Sequence, residues 1–490
     1  MNNKNIATLV ANMTGNKLTR KLLLPQIEKQ LYDNVITNQP EALDAVKQKK
    51  YEWGKALLAS ADRNLEKGII NRNVLKKLSN VLITNAFHED KEKFRAELKN
   101  YQEKHGVEVP TFFVISPTKR CNLKCNDCYA GSTAKTAETL PYSNLRAFLK
   151  EFHDETNGRF IVISGGEPLM YRSEGKTLTD LGREFPDIFF MFYTNGTLIN
   201  KAKAEELAEL SNMIPCISVE GFEKETDERR GKGTFKKILQ SMENLRNAGL
   251  PFVISVTATS KNTDILLSDG FYDFYFDQQG ASYMWLFQFM PIGRGKELFE
   301  RMPTPEQRVK LYRQWEHLLR DKKYCVADFW NSGVLTDGCI AYGRRRGYLY
   351  IDWNGDVMPC VFVPYKADNI IKAQQEGRNL ASILKAPLFE RGKQWQRNYT
   401  LDKLDNPENM LMPCSIRDHY ANFRENILGK ENTGEDEIAD AILKDKSYFE
   451  KMDNYDKKLH RLTDPIWDNE YKNTHNSKPM KTDNMPSDKP

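Results

Sequence analysis

The chain has 490 residues, of which 40% are hydrophobic and 28% are charged, and its formal net charge is +5. No uninterrupted apolar run approaches the roughly 18 residues of a membrane span, and the first residues, MNNKNIATLVANMTGNK, lack the apolar core of a signal peptide. We therefore expect a cytoplasmic protein with reduced thiols. We also expect two or three domains, because a single core rarely grows beyond about 250–300 residues.

Residues 1–106 form the first predicted domain, a helical N-terminal extension. Apolar residues recur there at the three- and four-residue spacing of helices that face a core, and Asn73 is the predicted N-cap of the last helix. The first 100 residues carry 18 Lys+Arg and 11 Asp+Glu, a local charge of +7. Two interpretations stay open, a solvated helical face and a surface for an acidic partner or an anionic membrane. The apolar stripe of the last helix comprises Val74, Leu75, Leu78, Val81 and Leu82.

Six short apolar runs alternate with amphipathic segments in the second predicted domain, residues 107–300. Strands that are apolar on both faces indicate a parallel sheet covered by helices, and this order fits a doubly wound sheet or a partial (β/α) barrel. In both α/β folds, ligands bind at the carboxyl ends of the strands. The runs are residues 111–116, 159–164, 188–193, 213–219, 251–257 and 284–290.

Residues 301–430 form the third predicted region. A helix is predicted near 304–320, and the later run GYLYIDWNGDVMPC reads as a hairpin whose turn contains Asn-Gly. Residues 431–490 are predicted to be a polar tail without a clear strand, and we expect about the last fifteen residues to be disordered.

Three cysteines, Cys121, Cys125 and Cys128, follow the first predicted strand in the stretch SPTKRCNLKCNDCYAG. A structural zinc site needs four ligands, and the nearest histidines, His105 and His153, are not at knuckle spacing. Three thiolates can instead hold a [4Fe–4S] cube and leave one iron open to a substrate or cofactor. On the spacing alone, three interpretations remain possible: an open iron–sulfur cluster, a zinc site and thiols with no shared ligand.

Glycine-rich or polar residues follow the later strands at the same predicted end. Paired glycines in GGEP, after the second strand, let a ligand approach the backbone closely. Each motif alone also fits a plain βα turn, but packing does not predict their shared position. The other residues noted at strand ends are Asn195 in TNGT, Ser218 and Glu220 around VEG, and Arg294 in PIGRG.

CxxxCxxC after the first strand and GGEP after the second resemble the radical S-adenosylmethionine (SAM) superfamily, over about residues 111–295. The resemblance implies a partial (β/α)6 TIM barrel with a helical N-terminal extension and a small C-terminal iron–sulfur domain. It implies a [4Fe–4S] cluster on Cys121, Cys125 and Cys128, with SAM bound to the open iron. It places Gly165, Gly166 and Glu167 at the SAM amino group, Asn195 and Ser218 along the SAM-binding strand ends, and Arg230 and Arg294 as candidates for the SAM carboxylate or ribose.

One position departs from the family pattern. The family usually has an aromatic residue just before the third cysteine, whereas this chain has Asp127 there and Tyr129 after it. The sequence therefore leaves open which residues contact the adenine ring of SAM.

The later cysteines resemble the start of the SPASM and twitch extensions, which hold auxiliary iron–sulfur clusters. Fifteen residues separate Cys339 from Gly355, and four more separate Gly355 from Cys360. The resemblance implies one auxiliary [4Fe–4S] cluster, with Cys325, His419, a substrate or nothing as its fourth ligand; structural zinc is the alternative. The implied ligands are Cys339, Cys360 and Cys414.

The function that the resemblance implies is enzymatic. One electron from reduced flavodoxin or ferredoxin cleaves SAM to a 5′-deoxyadenosyl radical, which abstracts hydrogen from the substrate. SPASM-type enzymes favour a peptide or protein substrate, although residues 1–106 lack the strands of a leader-binding module. The pattern is also similar to lineages associated with lipid-tail chemistry, with the N-terminal helices at a membrane surface. A non-catalytic structural metal protein is the remaining alternative, and we expect no nucleic-acid partner.

Overall fold

The computed structural model describes residues 17–39, 41–81 and 91–473. The expectations made for the first sixteen residues, for Leu82 and for residues 474–490 lie outside these ranges. None of the helices within them is both long enough and apolar enough to cross a bilayer.

The described part of the predicted helical extension contains four α-helices separated by short non-helical connections. Asn71, not Asn73, caps the third helix, since its side-chain oxygen accepts a hydrogen bond of 2.8 Å from the backbone N–H of Asn73. This is the geometry of an N-cap, whose side chain reaches forward to the second or third N–H. The helices are α1 (Lys17–Tyr32), α2 (Asp44–Glu66), α3 (Arg72–Ser79) and α4 (Lys91–His105).

All six predicted strands are present, and two more parallel strands flank them. The strands are β1 (Phe112–Ile115), β2 (Phe160–Ile163), β3 (Arg172–Ser173), β4 (Lys176–Thr177), β5 (Phe189–Thr194), β6 (Met213–Val219), β7 (Val253–Ala258), β8 (Met284–Gln288), β9 (Val326–Asp328) and β10 (Tyr348–Ile351). Strands β3 and β4 form a separate small hairpin.

The order of the parallel strands is β10-β1-β2-β5-β6-β7-β8-β9. From β1 to β9 each new strand is added on the same side of the last one, whereas a doubly wound sheet reverses direction at its middle. The fold is therefore the open, barrel-like α/β arrangement, and the doubly wound alternative is wrong. Because all eight strands run parallel, their carboxyl ends share one face of the barrel.

Helices cover the outer face of this sheet. In the first of them, Leu145, Leu149 and Phe152 recur at four- and three-residue spacing and are at most 1% exposed, so they pack against the strands. The helices are α5 (Tyr142–Thr156), α6 (Leu178–Glu184), α7 (Lys201–Leu210), α8 (Glu223–Arg230), α9 (Thr234–Ala248), α10 (Thr263–Leu266) and α11 (Asp269–Tyr272).

The predicted hairpin after the barrel is present. Strand β10 pairs antiparallel with β11 (Asp356–Met358), which pairs with β12 (Asp368–Asn369). The helix predicted near 304–320 is α12 (Pro305–His317), which begins with a capping box between Thr304 and Gln307. The helices between the hairpin and residue 430 are α13 (Ile370–Gln375), α14 (Leu380–Leu384), α15 (Pro387–Gln396) and α16 (Tyr420–Asn422).

Residues 431–490 are more ordered than a polar tail. Their described part contains α17 (Glu437–Lys444) and α18 (Lys446–Trp467). Met452, Leu459 and Trp467 of α18 are at most 1% exposed. Their spacing of seven and eight residues puts them on one helical face, so α18 packs onto the protein through that face.

Candidate active site

The cysteine loop, residues 116–131, lies over the carboxyl ends of the first strands. The backbone N–H groups of Gly166 and Glu167 donate to the carbonyls of Thr118 and Arg120 at 2.9 and 2.8 Å. The loop closes a cavity of about 400 Å³ inside the barrel, here called the barrel cavity. Its wall includes most of the residues predicted to hold the cluster and SAM: Cys121, Cys125, Cys128, Gly165, Gly166, Asn195, Ser218 and Arg230.

The two glycines of GGEP are needed for this docking. A Cβ atom at Gly166 would overlap the carbonyl oxygens of Lys119 and Arg120, and Gly165 has a φ of +116°. Side chains larger than hydrogen are disfavoured at such a φ. The glycine pair therefore lets the cysteine loop rest directly on the end of β2.

Burial and neighbouring charges affect two thiols of the loop, Cys121 and Cys125. Burial, with smaller contributions from Glu167, Cys125 and Cys128, raises the pKa of Cys121 to about 12, while the Leu123 N–H, 3.4 Å from Sγ, opposes the shift. Burial also raises the pKa of Cys125, against the opposing effect of Arg230 and Arg229. Thiolates held in this way need compensating positive charge, which iron supplies.

A single metal ion fits these residues poorly. Within the described ranges, no three His, Cys, Asp or Glu side chains converge as the ligands of one ion must. This counts against the zinc alternative, whose ligands all lie about 2.3 Å or less from one centre. In an iron–sulfur cluster each thiolate binds a different iron, so the thiols do not need to converge on one point.

A buried ion-pair network joins the cysteine loop to α8. The side chain of Asp127 is fully buried and accepts from Arg229 Nε at 2.6 Å and from Arg301 Nη1 at 2.8 Å. Glu220 accepts from Arg229 and from Arg230, whose Nε lies at 2.9 Å. Burial alone would raise the pKa of Asp127, but the two arginines outweigh it and the net shift is downward. The position that departs from the family pattern thus anchors the loop as a carboxylate.

Arg294 holds the cysteine loop from the other side. Its Nη2 donates to the carbonyls of Gly131 and Ser132 at 2.8 Å each, and its Nη1 donates to the carbonyl of Cys125. These contacts engage the guanidinium with the loop backbone, and Arg294 is not part of the cavity wall. Its predicted contact with SAM stays a prediction, whereas its observed contacts position the loop.

Glu167 is a buried acceptor between two strand ends. Its carboxylate accepts from the N–H of Leu169 at 3.1 Å, from Thr194 Oγ1 at 2.8 Å and from the N–H of Asn195 at 2.8 Å. Burial is the main cause of its raised pKa, and these hydrogen bonds oppose the shift. The contact of Glu167 with the SAM amino group stays a prediction.

Asn195 and Ser218 both line the barrel cavity. The amide nitrogen of Asn195 donates to Asn122 Oδ1 at 2.8 Å and lies 3.8 Å from the sulfur of Cys121. Ser218 Oγ lies 3.3 Å from Ser255 Oγ on the adjacent strand. Their side chains therefore offer polar groups to a ligand beside the thiols.

A second cavity, here called the amino-end cavity, has a volume of about 910 Å³. It is lined by residues from the amino ends of the strands, by the N-terminal helices, and by Cys339, Cys360 and Cys414. The predicted auxiliary ligands therefore all line this cavity. Side chains that line both cavities include those of Phe160, Met191, Trp285, Phe329 and Tyr348, so the cavities adjoin.

Of the predicted auxiliary ligands, Cys360 is buried, and Cys339 and Cys414 are partly buried. Burial, with a smaller contribution from Cys339, raises the pKa of Cys360 to about 12. The Tyr348 hydroxyl lies 2.9 Å from the sulfur of Cys360. Neither candidate for the fourth ligand lines this cavity; Cys325 is buried beside β8, and His419 Nε2 lies 2.9 Å from the carbonyl of Met412.

Sequence reasoning missed several residues of the two cavities. Arg229 directly precedes Arg230 in the sequence, but only Arg230 is a predicted site residue. Trp53 and Leu58 belong to helices that were read as a separate extension, and they line the amino-end cavity. Because these apolar side chains face an internal cavity, the arrangement gives no support to their contact with a membrane.

Comparisons with known proteins extend these observations. A family model described as Radical SAM superfamily matches residues 115–264. The mycofactocin maturase MftC of Mycolicibacterium smegmatis is 30% identical over 281 residues, which cover 55% of this chain and 70% of that protein. The AdoMet-dependent heme synthase of Methanosarcina barkeri is 26% identical over 346 residues, which cover 63% and 88%. The crystal structure of Streptococcus suis SuiB bound to precursor peptide SuiA has a TM-score of 0.48 at 17% identity, and covers 65% of this chain and 71% of that one.

Proposed function

The chain belongs to the radical SAM superfamily of enzymes, and from that premise we propose that it modifies a peptide or protein by abstracting hydrogen with a 5′-deoxyadenosyl radical. One observation carries the proposal. Three closely spaced thiols lie beside the glycine-rich turn at one end of the barrel, and a large apolar cavity adjoins them.

We assign the first [4Fe–4S] cluster to Cys121, Cys125 and Cys128, and SAM to the wall formed by Gly165, Gly166, Asn195, Ser218 and Arg230. When bound, this pair supplies the 5′-deoxyadenosyl radical after one electron arrives from a reduced flavodoxin or ferredoxin. Burial raises the pKa of Cys125, and Arg230 and Arg229 oppose that shift and so limit the cost of its thiolate form. The rings of Phe160, Trp285 and Phe329 line both cavities and make the space beside this wall apolar.

An auxiliary [4Fe–4S] cluster on Cys339, Cys360 and Cys414 is the second assignment. Its support is that all three cysteines line the amino-end cavity and that the Tyr348 hydroxyl contacts the sulfur of Cys360. Located beside the amino-end cavity, such a cluster would be within reach of a substrate held there.

The names of the relatives indicate different products, mycofactocin and heme, and so do not identify one substrate class. We therefore infer the substrate class from the lining of the amino-end cavity. A peptide is the first candidate. The acyl chain of a lipid is the second, because the cavity wall is mostly apolar and would accept a hydrocarbon.

Anaerobic reconstitution tests the proposal. We expect about eight irons per chain, as two cubes require, and release of 5′-deoxyadenosine from SAM in the presence of dithionite. The matched control is a variant in which Cys121, Cys125 and Cys128 are replaced by alanine; it should keep the auxiliary iron and release no 5′-deoxyadenosine. A colourless protein loaded with zinc would contradict both assignments.

A further inference from the structure

Asp127 lies between two of the predicted cluster ligands, Cys125 and Cys128, at the position where the family usually has an aromatic residue. Its side chain is fully buried, and its two oxygens accept from different arginines, Oδ1 from Arg229 Nε at 2.6 Å and Oδ2 from Arg301 Nη1 at 2.8 Å. Arg229 belongs to α8 and Arg301 follows β8, so one carboxylate ties the cysteine loop to two other segments. An aromatic side chain could make neither ion pair.

Glu220, which follows β6, holds the same part of α8. Its Oε1 accepts from Arg229 Nη1 at 2.5 Å, and from Nε and Nη2 of Arg230 at 2.9 and 2.5 Å. Arg229 is therefore shared between two buried carboxylates, those of Asp127 and Glu220. Because a guanidinium bonded at two of its nitrogens has little freedom to turn, the two carboxylates together set its direction.

One terminal nitrogen of each α8 arginine is left over. Nη2 of Arg229 and Nη1 of Arg230 donate to no group in the described part of the chain, and neither nitrogen is fully buried. Both side chains line the barrel cavity and are 16% and 12% exposed. Since guanidinium nitrogens only donate, the pair offers two charge-assisted donors to an anionic group of a ligand in this cavity.

The charges of this network do not cancel. Three guanidinium groups meet two carboxylates, so one positive charge is in excess beside the thiols. A buried charge of this kind is costly unless negative groups compensate it. The proposed function places two kinds of negative group here, the thiolates of the cysteine loop and the carboxylate of SAM.

We propose that Asp127 is a positioning residue, which together with Glu220 orients Arg229 and Arg230 so that their remaining nitrogens bind the carboxylate of SAM. The inference rests on the proposed function, and it adds Arg229 to the wall assigned to SAM. In this chain an ion-pair clamp takes the place of the family's aromatic residue and joins the cysteine loop to the SAM wall.

Asp127→Asn tests the proposal, because it keeps the size of the side chain and removes its charge. In the anaerobically reconstituted full chain we expect the iron content of the wild type. Binding of SAM, measured by calorimetry, should be at least about tenfold weaker, the effect of losing one charge-assisted hydrogen bond. Release of 5′-deoxyadenosine at saturating SAM should stay close to the wild-type rate, so that KM changes and kcat does not. Asp127→Tyr, which restores the aromatic residue of the family, should bind SAM at least as weakly, because it also leaves Arg229 and Arg301 without their carboxylate.

Further variants keep the test decisive if Asp127→Asn fails to load iron. Glu220→Gln changes a residue outside the cysteine loop, and it should weaken SAM binding with the iron content intact. The double variant Asp127→Asn/Arg229→Gln should bind SAM no more weakly than Arg229→Gln alone, since Asp127 acts through Arg229. Asp368→Asn is the matched control: Asp368 pairs with Arg378 at 2.6 and 2.9 Å on β12 and lines neither cavity.

Three results would overturn the positioning role. The first is wild-type affinity for SAM in both Asp127→Asn and Glu220→Gln. The second is a set of losses in Asp127→Asn and Arg229→Gln that multiply in the double variant. The third is weaker SAM binding that accompanies a loss of iron in every variant, which would assign these residues to the fold of the loop alone. A wild-type chain that releases no 5′-deoxyadenosine would instead contradict the proposed function.

Discussion

The hydroxyl of Tyr348 lies 2.9 Å from the sulfur of Cys360, in the wall between the two cavities. The ring of Tyr348 stacks on Phe112, with centroids 5.2 Å apart and planes 11° from parallel, which fixes the direction of the hydroxyl. Hydrogen bonds to ligand sulfurs help to set the potential of an iron–sulfur cluster. They stabilise the more negative, reduced form, so this hydroxyl should raise the potential of the auxiliary cluster.

Replacement of Tyr348 by phenylalanine should therefore lower the midpoint potential of the auxiliary cluster and leave that of the first cluster unchanged. A redox titration followed by electron paramagnetic resonance would measure both. Tyr350→Phe is the matched control, because Tyr350 lies on the same strand and donates instead to Ser116 Oγ at 2.9 Å. Equal auxiliary potentials in Tyr348→Phe and the wild type would mean that the hydroxyl does not act on the cluster.

Loss of the Arg294 guanidinium should loosen the cysteine loop. Arg294→Gln removes charge-assisted hydrogen bonds to carbonyls of the loop, each worth roughly 1.5–3 kcal/mol. We expect incomplete iron loading at the first site and at least about tenfold slower release of 5′-deoxyadenosine. Iron content and release rate should be measured beside Lys296→Gln, which removes a nearby charge with no contact to the loop carbonyls. Wild-type values in Arg294→Gln would show that the loop holds its shape without the arginine.

Cys125→Ala should abolish cleavage of SAM, since two thiolates do not retain the cube. Cys216→Ala is the control: Cys216 is fully buried in β6 and lines neither cavity. Chromatographic assay of 5′-deoxyadenosine distinguishes the two variants. Cleavage at the wild-type rate in Cys125→Ala would remove this cysteine from the cluster.

Cys360→Ala should separate cleavage of SAM from turnover of the substrate. The first cluster is held by other residues, so 5′-deoxyadenosine release should continue, whereas iron content should fall from about eight to about four per chain. Product formation from a peptide should stop if the auxiliary cluster acts on the substrate. A variant that retains all of its iron would contradict the assignment of Cys360 as a ligand.

The barrel was accessible from sequence because each of its strands is a short apolar run with a glycine-rich or polar stretch at its end. Local pattern alone located all six strands, and the shared carboxyl end brought Cys121, Gly165 and Asn195 to one cavity. Their roles in binding a cluster and SAM stay predictions, because those roles concern bound ligands rather than contacts within the protein.

The parts that sequence reasoning missed depend on contacts between distant segments. Nothing in the local pattern around Trp53 indicates that α2 would line a cavity at the far end of the barrel. The order of α18 was missed for a different reason: its stripe of Met452, Leu459 and Trp467 was present but diluted by many charged residues. The partners of Arg294 are backbone carbonyls, which leave no mark in the sequence at all.

An acidic cluster beside the hairpin should make stability depend on pH. Burial, followed by the nearby Asp352 and Asp436, raises the pKa of Glu435 from 4.5 to about 8, although Lys119 opposes the shift. The folded protein therefore holds a proton on Glu435 that the unfolded chain loses above about pH 4.5. The stabilising contribution is complete below that pH and is lost as the pH rises through 8.

Glu435→Gln keeps the shape of the protonated side chain and cannot ionise. The variant should match the wild type near pH 4.5 and become the more stable protein as the pH rises, by up to about 1.4 kcal/mol for each pH unit between about 4.5 and 8. The unfolding temperature, measured from pH 5 to pH 9, would report this divergence. Glu450→Gln, which removes the same charge from an exposed position of α18, should shift the curve without changing its slope. Parallel curves for Glu435→Gln and the wild type would mean that Glu435 ionises in the folded protein as readily as in the unfolded chain.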